Sequence, residues 1–510
     1  MRTPILSLAA VCLMGAAAAA GGAGPIPTFS PGPFGAGWAD WDFGPLQVSD
    51  PTGPGTTTVQ HFGRLVYPST GEGEFAPLAP GTPFPFVVFA HGRFQSAGFI
   101  GTNHLQASYL LEHLASWGFV VASVNLDDIG AFGFPAAIPQ RGEIVHATID
   151  AFEALDPAGV FLDMGQLGLV GHSRGGEGAL AAHVDNPQGH NFVAIATIAP
   201  TDFEQYLLED VPYLCIYGSK DGDVNNGWPI FTYDNATGSQ KVFEYCEGAN
   251  HFWFTETIQF SGEGDADIPR EVHHDIARTY VTSFLRSRIQ MDPPEPFTEL
   301  SDGPSLFPVL ENVVIHPMYD DVDALKVNDF EDLPADPSQN SLGALSLTGD
   351  LLGSGEQSFD NAGLTLYHKT RGAGVSFDMV QTGETGFYAE QLPPGTDASG
   401  FTHLSLRAIQ ILNAPQNTPD VPQDLSVALL DAGGVLAVET LSTWGTVPYP
   451  ITHGGFNFPS KSVLRTTRIP LSAFTGGAPG LDLTDLQFVG LVFDQTTSGN
   501  LRFDNIAFTD

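Results

Sequence analysis

Basic residues are scarce in this chain. Its 510 residues hold 19 Lys and Arg against 58 Asp and Glu, a formal net charge of −39. A surface of that sign repels nucleic acid and anionic membranes, so neither is an expected partner, and acidic polymers are disfavoured as substrates. A neutral ester or a neutral glycan fits the field better. Cysteine is nearly absent, with three residues in all. Past residue 20 no apolar run approaches the length needed to span a bilayer, so no membrane anchor is expected there. There is no His-Glu-x-x-His, no dinucleotide fingerprint and no P-loop. The acidic run Asp320-Asp321-Val322-Asp323 lacks the full calcium-loop pattern. The expectation is therefore no cofactor and no metal.

The start of the chain has a different character. A short basic beginning, Met1-Arg2, leads into an apolar stretch over 5–20 rich in Ala and Leu, then small residues and Pro25. That pattern predicts a secretory signal peptide over residues 1–24, and a secreted protein, extracellular or periplasmic. Val11, not a small residue, precedes Cys12, which argues against a lipoprotein signal. Cys215 and Cys246 then remain. Exported chains permit disulfides, and both residues fall in expected strands that the fold would make neighbours. Cross-strand geometry is demanding, so a Cys215–Cys246 bridge and two buried thiols are both left open.

About 490 residues are too many for one core, and two or three domains are expected. Residues 25–60, rich in Pro, Gly and aromatics, read as a surface wrap. Expected strands cover 57–67, 84–90, 119–124, 167–170, 192–198, 212–217 and 242–246, with helices at 108–117, 141–155 and 268–289. Buried apolar strands alternating with helices predict an α/β fold with a mostly parallel sheet covered on both faces. This predicted catalytic domain spans 25–290. Prolines and acids over 291–314 read as a linker. Beyond it, short β-branched and aromatic runs at 404–409, 425–430, 463–469, 488–493 and 501–508 are separated by Gly, Pro, Asp and Asn. They predict an all-β sandwich over 315–510.

The strongest motif is Gly171-His172-Ser173-Arg174-Gly175-Gly176, set between the run 167–170 and a helical segment beginning near Glu177. A Gly-x-Ser-x-Gly in that context is a nucleophile elbow, a turn that holds a serine exposed at a strand's carboxyl end. Serine needs a base to take its proton, and the base needs a carboxylate to orient it. Asp221, four residues past the strand at 212–217, is the favoured acid, with Asp223 as the alternative. His251, just past the strand at 242–246, is the expected base. Of the other nearby histidines, His172 is too close to the serine in sequence, His91 sits in the expected oxyanion loop, and His273 and His274 fall within the closing helix. The expected oxyanion donors are the backbone N–H groups of Arg174 and of Arg93, or Phe94 in place of the latter. Phe94 and Trp253 flank the predicted centre and are candidate walls for an apolar acyl or aromatic group.

These pieces resemble the α/β-hydrolase superfamily. Val87-Val88-Phe89-Ala90-His91-Gly92, the segment 111–121, the elbow, Gly218-Ser219-Lys220-Asp221 and Gly248-Ala249-Asn250-His251-Phe252 carry the likeness, spread over roughly residues 80–285. Within the superfamily the chain looks like the branch of secreted cutinase-like polyester hydrolases, platelet-activating-factor acetylhydrolase-like proteins and chlorophyllases. The resemblance implies Ser173, Asp221 and His251 as triad, no cofactor, and an ester or lipid-like substrate, small or polymeric. Arg174 departs from the aromatic or Met that the cutinase-like enzymes commonly carry after the serine. The C-terminal part resembles jelly-roll, carbohydrate-binding-like domains through its end motifs, Asn328-Asp329-Phe330-Glu331 and the segment 501–508, which implies either a structural domain packed on the hydrolase or a face for a neutral polysaccharide or polymer partner. The expected function is a secreted serine esterase acting on carboxylic esters. A serine amidase or peptidase, and a non-catalytic hydrolase-like binding module, are the alternatives.

Overall fold

The computed structural model describes residues 29–93, 102–129, 136–256, 263, 265–290, 310, 312–333, 335–361, 364, 368–451 and 461–510. The expected signal peptide, Phe94 and most of the expected linker lie outside the described residues. By their contacts the described residues fall into two units. One is drawn from Met1–Ser239, Cys246–Leu300 and Pro304–Val314, the other from Gln240–Tyr245, Ser301–Gly303 and Ile315–Asp510.

The first unit begins with β1 (Gly35–Ser49), β2 (Thr56–Ser69) and the two-residue β3 (Gly73–Glu74). The alternating pattern then starts: β4 (Phe84–Ala90), α1 (Ser108–Ser116), β5 (Val120–Val124), α2 (Ile138–Leu155), β6 (Leu162–His172), α3 (Arg174–Val184), β7 (Phe192–Ile198). After β8 (Leu208–Glu209) come β9 (Tyr213–Gly218), α4 (Trp228–Asp234), β10 (Ala236–Thr237) and α5 (Arg270–Leu285), while β11 (Lys241–Cys246), between the last two in sequence, groups almost wholly with the second unit. The strands lie in the order β9-β7-β6-β4-β5-β2-β1-β3. β5, β4, β6, β7 and β9 run parallel. All five residues of β5 and all six of β9 are buried, as a sheet covered on both faces requires. This is the mostly parallel, helix-flanked architecture that the hydrophobic runs predict.

The described part of the segment 25–60 differs from expectation. It is not a wrap. β1 pairs antiparallel with β2 along its whole length, from Gly35 opposite Ser69 to Ser49 opposite Thr56, with one irregularity between Asp42 and Gly44. Gly37, Ala39 and Trp41 turn inward at the strand period of two. The Gly and Pro content hides that alternation in the sequence.

The second unit is built from two antiparallel sheets. One holds, in spatial order, β15 (Gly353–Ser358), β16 (Arg371–Asp378), β23 (Ser498–Thr509), β18 (His403–Gln410) and β21 (Arg465–Pro470), with β13 (Leu325–Asn328) also on β23. The other holds β14 (Ser346–Gly349), β17 (Gly386–Thr396), β22 (Leu486–Phe493), β19 (Ser426–Asp431) and β20 (Leu436–Thr440). A single core joins both sheets through residues such as Phe377, Leu406, Val427, Leu491 and Phe503, as a sandwich requires. The two end motifs meet here: Lys326 and Asn328 of β13 lie opposite Ala507 and Ile506 of β23. β12 (Ile315–Asp320) is the neighbour of β11, which explains why residues 240–245 group with this unit.

Candidate active site

The parallel strands bring four loop starts to one sheet edge. Ala90 at the end of β4 is opposite Gly171, His172 at the end of β6 is opposite Ile198, and Ile198 is opposite Ile216. Ser173 stands between β6 and α3 with φ 56° and ψ −128°, a conformation that costs a non-glycine residue energy and is held by its surroundings. Its N–H donates to the Ile198 carbonyl at 2.9 Å, and its carbonyl accepts the Glu177 N–H at 3.2 Å. The glycines around it are sterically required. A Cβ on Gly171 would lie 2.6 Å from the Gly175 carbonyl carbon, and one on Gly175 would lie 2.5 Å from the Ala90 carbonyl carbon.

Asp221 and His251 meet. His251 Nδ1 is 2.7 Å from Asp221 Oδ2, and both side chains are buried. The second Asp221 oxygen accepts the N–H groups of Asp223 at 3.0 Å and Val224 at 2.7 Å, which fixes the carboxylate's plane. The acid and base loops are joined by backbone bonds: Ser219 N–H donates to Cys246 O at 2.9 Å, and Lys220 N–H to Ala249 O at 2.8 Å. Of the two acid candidates, Asp221 takes the Nδ1 position. Asp223 lies on the other side of the ring, with Oδ2 3.5 Å from His251 Nε2 and its side chain 56% exposed.

Three groups that sequence reasoning did not select as functional hold the His251 loop. The Glu263 carboxylate accepts the backbone N–H of His251 and that of Phe252. His172 Nε2 donates to the His251 carbonyl at 3.1 Å, with the two rings 4.6 Å apart. His273 Nε2 accepts the Asn250 N–H at 2.9 Å. His172 and His273 were visible as histidines, but their partners are 79 and 23 residues away. Glu263 carries no motif at all.

Electrostatics follow from this packing. Burial alone would lower the His251 pKa, but the Asp221 carboxylate, with Asp223 and Glu263, overrides it and pushes the imidazole up to about 9. Burial lifts Glu263 to about 8, against the pull of His251. His91 goes the other way, lowered to about 4 by burial. Its Nε2 accepts the Leu126 N–H at 2.8 Å and its Nδ1 donates to Gly92 O at 2.6 Å. It is thus a neutral brace of the loop that carries Arg93.

The remaining expected residues are placed as follows. Arg93 and Arg174 adjoin the serine, one through Gly92 and one directly in sequence. The Trp253 ring lies 5.6 Å from His273, with the Arg270 guanidinium 5.9 Å from its centre. Cys215 and Cys246 are free and buried. Cys215 points at the Pro229 carbonyl, 3.7 Å away, and burial pushes its thiol up to about 12. Among the described residues one group has metal-ligand spacing, Asp150, Glu153 and His190. All three stand on α2 or before β7, away from the serine's sheet edge.

A serine elbow and a buried His–Asp pair at the carboxyl edge of a parallel sheet define the first domain as α/β-hydrolase-like. Residues 74–239 match the family described as Chlorophyllase, a span that includes Ser173 and Asp221 and ends before His251. Over 166 residues the chain is 30% identical to Lipase 1 of Moraxella sp. (strain TA144), covering 32% of this chain and 49% of that protein. The chain thus spans about half the length of the curated relative it matches. The likeness is to a hydrolase family of esterase type.

Proposed function

We propose that the protein is a serine carboxylic ester hydrolase. The observation that carries this reading is the buried His251–Asp221 pair, 2.7 Å apart, beside the elbow of Ser173. In the proposed reaction His251 Nε2 takes the Ser173 hydroxyl proton as the oxygen attacks the ester carbonyl. Asp221 holds the imidazole in the needed tautomer and stabilises its cation. The Arg174 and Arg93 N–H groups receive the oxyanion. Collapse of the tetrahedral intermediate breaks the bond to the alcohol, which leaves with the proton from His251. Water, deprotonated by the same base, then cleaves the acyl-serine. The similarity to a lipase and to the chlorophyllase family supports an ester over other acyl substrates.

The test is an ester panel graded by acyl length, run with soluble and polymeric esters, alongside labelling by a serine-reactive phosphonate. Hydrolysis and labelling should both vanish in Ser173→Ala, with a rate loss of at least ~10³-fold. Labelling with turnover of amides but no esters would make the protein an amidase. Absence of both labelling and turnover would leave a binding module.

A further inference from the structure

Positive charge is rare in this chain, with 19 basic residues in 510, yet two arginines adjoin the reacting serine. Arg174 directly follows Ser173. Arg93 follows Gly92, whose backbone runs so near that a Cβ on it would lie 2.8 Å from Ser173 Cβ. A third, Arg141, is buried below them and donates to the His91 carbonyl at 3.2 Å, bracing the Arg93 loop from beneath. The Arg174 guanidinium rests 5.3 Å from the centre of the Phe203 ring, which in turn packs against Trp228 at 4.6 Å.

The two guanidiniums beside the serine feel the field of one carboxylate. Burial lowers the pKa of Arg174, Arg93 lowers it further, and Asp223 opposes the fall. At Arg93 burial again lowers the pKa and Asp223 opposes it. Asp223 therefore sits in the field of both cations while its Oδ2 lies 3.5 Å from His251 Nε2, the nitrogen that would serve the reacting ester. Two partly buried cations whose charges act on each other repel, and a nearby anion offsets that repulsion. Asp223 is more than half exposed and enters from a turn, so its carboxylate can be displaced by another anion at little cost.

We propose that Arg93 and Arg174, set beside Ser173, make this site selective for esters bearing an anionic group on the acyl or the alcohol half, which takes over from the exposed Asp223 carboxylate at His251 Nε2. The inference rests on the ester-hydrolase reading and narrows its substrate class. It also reverses, locally, the preference for neutral substrates that the net charge of the whole chain suggests. Charge-assisted hydrogen bonds from guanidinium to carboxylate or phosphate are short, directional and about twice as strong as neutral ones.

The experiment compares kcat/KM for matched pairs. Mono-4-nitrophenyl glutarate against 4-nitrophenyl butyrate tests a charge on the acyl half, and 3-acetoxybenzoate against methyl 3-acetoxybenzoate tests the alcohol half. In at least one pair the anionic-to-neutral ratio should fall roughly tenfold or more in Arg93→Gln and Arg174→Gln, as expected for loss of a charged hydrogen bond. It should be largely kept in Arg174→Lys, rise in Asp223→Asn, and fall as NaCl is raised and screens the pair. Should the Gln variants fold poorly, the wild-type protein supplies a second reading: monomethyl glutarate should inhibit neutral-ester hydrolysis competitively and dimethyl glutarate much less. A ratio unmoved in both pairs and both variants, or equal inhibition by the two glutarates, overturns the proposal. If the wild-type protein hydrolyses none of the four esters, the ester-hydrolase reading itself falls.

Discussion

Two aspartates two residues apart have opposite places at one imidazole. Asp221 is fully buried, faces Nδ1 and is itself oriented by two backbone N–H groups. Asp223 is exposed and faces Nε2. Asp221→Asn should therefore cost on the order of 10²- to 10⁴-fold in kcat/KM on a neutral ester, through a misplaced tautomer, and Asp223→Asn far less. Assaying the two variants side by side settles the acid, and a larger loss at Asp223 reverses the assignment. The same carboxylates set the pH dependence. A base must be neutral to accept the serine proton, and the His251 pKa is raised, first against burial by Asp221 and then by Asp223 and Glu263. Activity should accordingly climb with pH and level off only above about 9, where an unperturbed histidine would level off above ~6.5. Asp223→Asn removes one of those carboxylates and should shift the limb to lower pH. A plateau already complete at pH 7, unmoved by that substitution, would show that the carboxylates do not hold the imidazolium.

At the scale of elements, the elbow works because β6, α3 and the end of β4 approach with no room for a side chain. Gly175→Ala would drive its methyl into the Ala90 carbonyl, backbone against backbone, where no rotamer change relieves the clash. The expected cost is on the order of 1–3 kcal/mol, as for overpacking in a filled core, read as a lower urea midpoint than the wild-type protein's. An unchanged midpoint would mean that the elbow has slack the structure does not show. The parallel strands were legible as unbroken apolar runs because both of their faces are covered. β1 was not, since one of its inward positions is Gly37, Trp38 faces outward, and Gly44 and Pro45 interrupt the pattern. β14 and β15 escaped for a related reason. They are short, rich in Gly and Ser and mostly exposed, so no apolar period marks them.

At the scale of the whole molecule, the chain order of the domains and the order of contacts differ. All three expected triad residues precede residue 252, which by sequence suggests that hydrolysis survives removal of everything past the linker. Yet β11, the strand that leads into the His251 loop, has β12 as its sheet neighbour, and Glu247 N–H bonds the Val314 carbonyl at 2.9 Å. A chain ending near residue 308 would remove both contacts. It should melt at a lower temperature than the full protein and lose turnover on a small soluble ester. Equal melting temperature and equal turnover would show that the β11 edge and its loop stand without the residues beyond 308.

The sequence by itself determined the alternating α/β architecture, the β-sandwich character of the second half, and the elbow at Ser173 with the Asp221 and His251 loops following in chain order. Hydrophobic period and steric demand are local properties, and they are written residue by residue. Tertiary structure alone decided which aspartate faces Nδ1 and that Glu263, His172 and His273 hold the His251 loop. It alone set the backbone before Arg93 against the elbow that carries Arg174, placing two of the chain's few cations beside Ser173. Each of these depends on the distance between groups that lie far apart along the chain. Burial and charge act through that distance, and only the folded sheet edge specifies it.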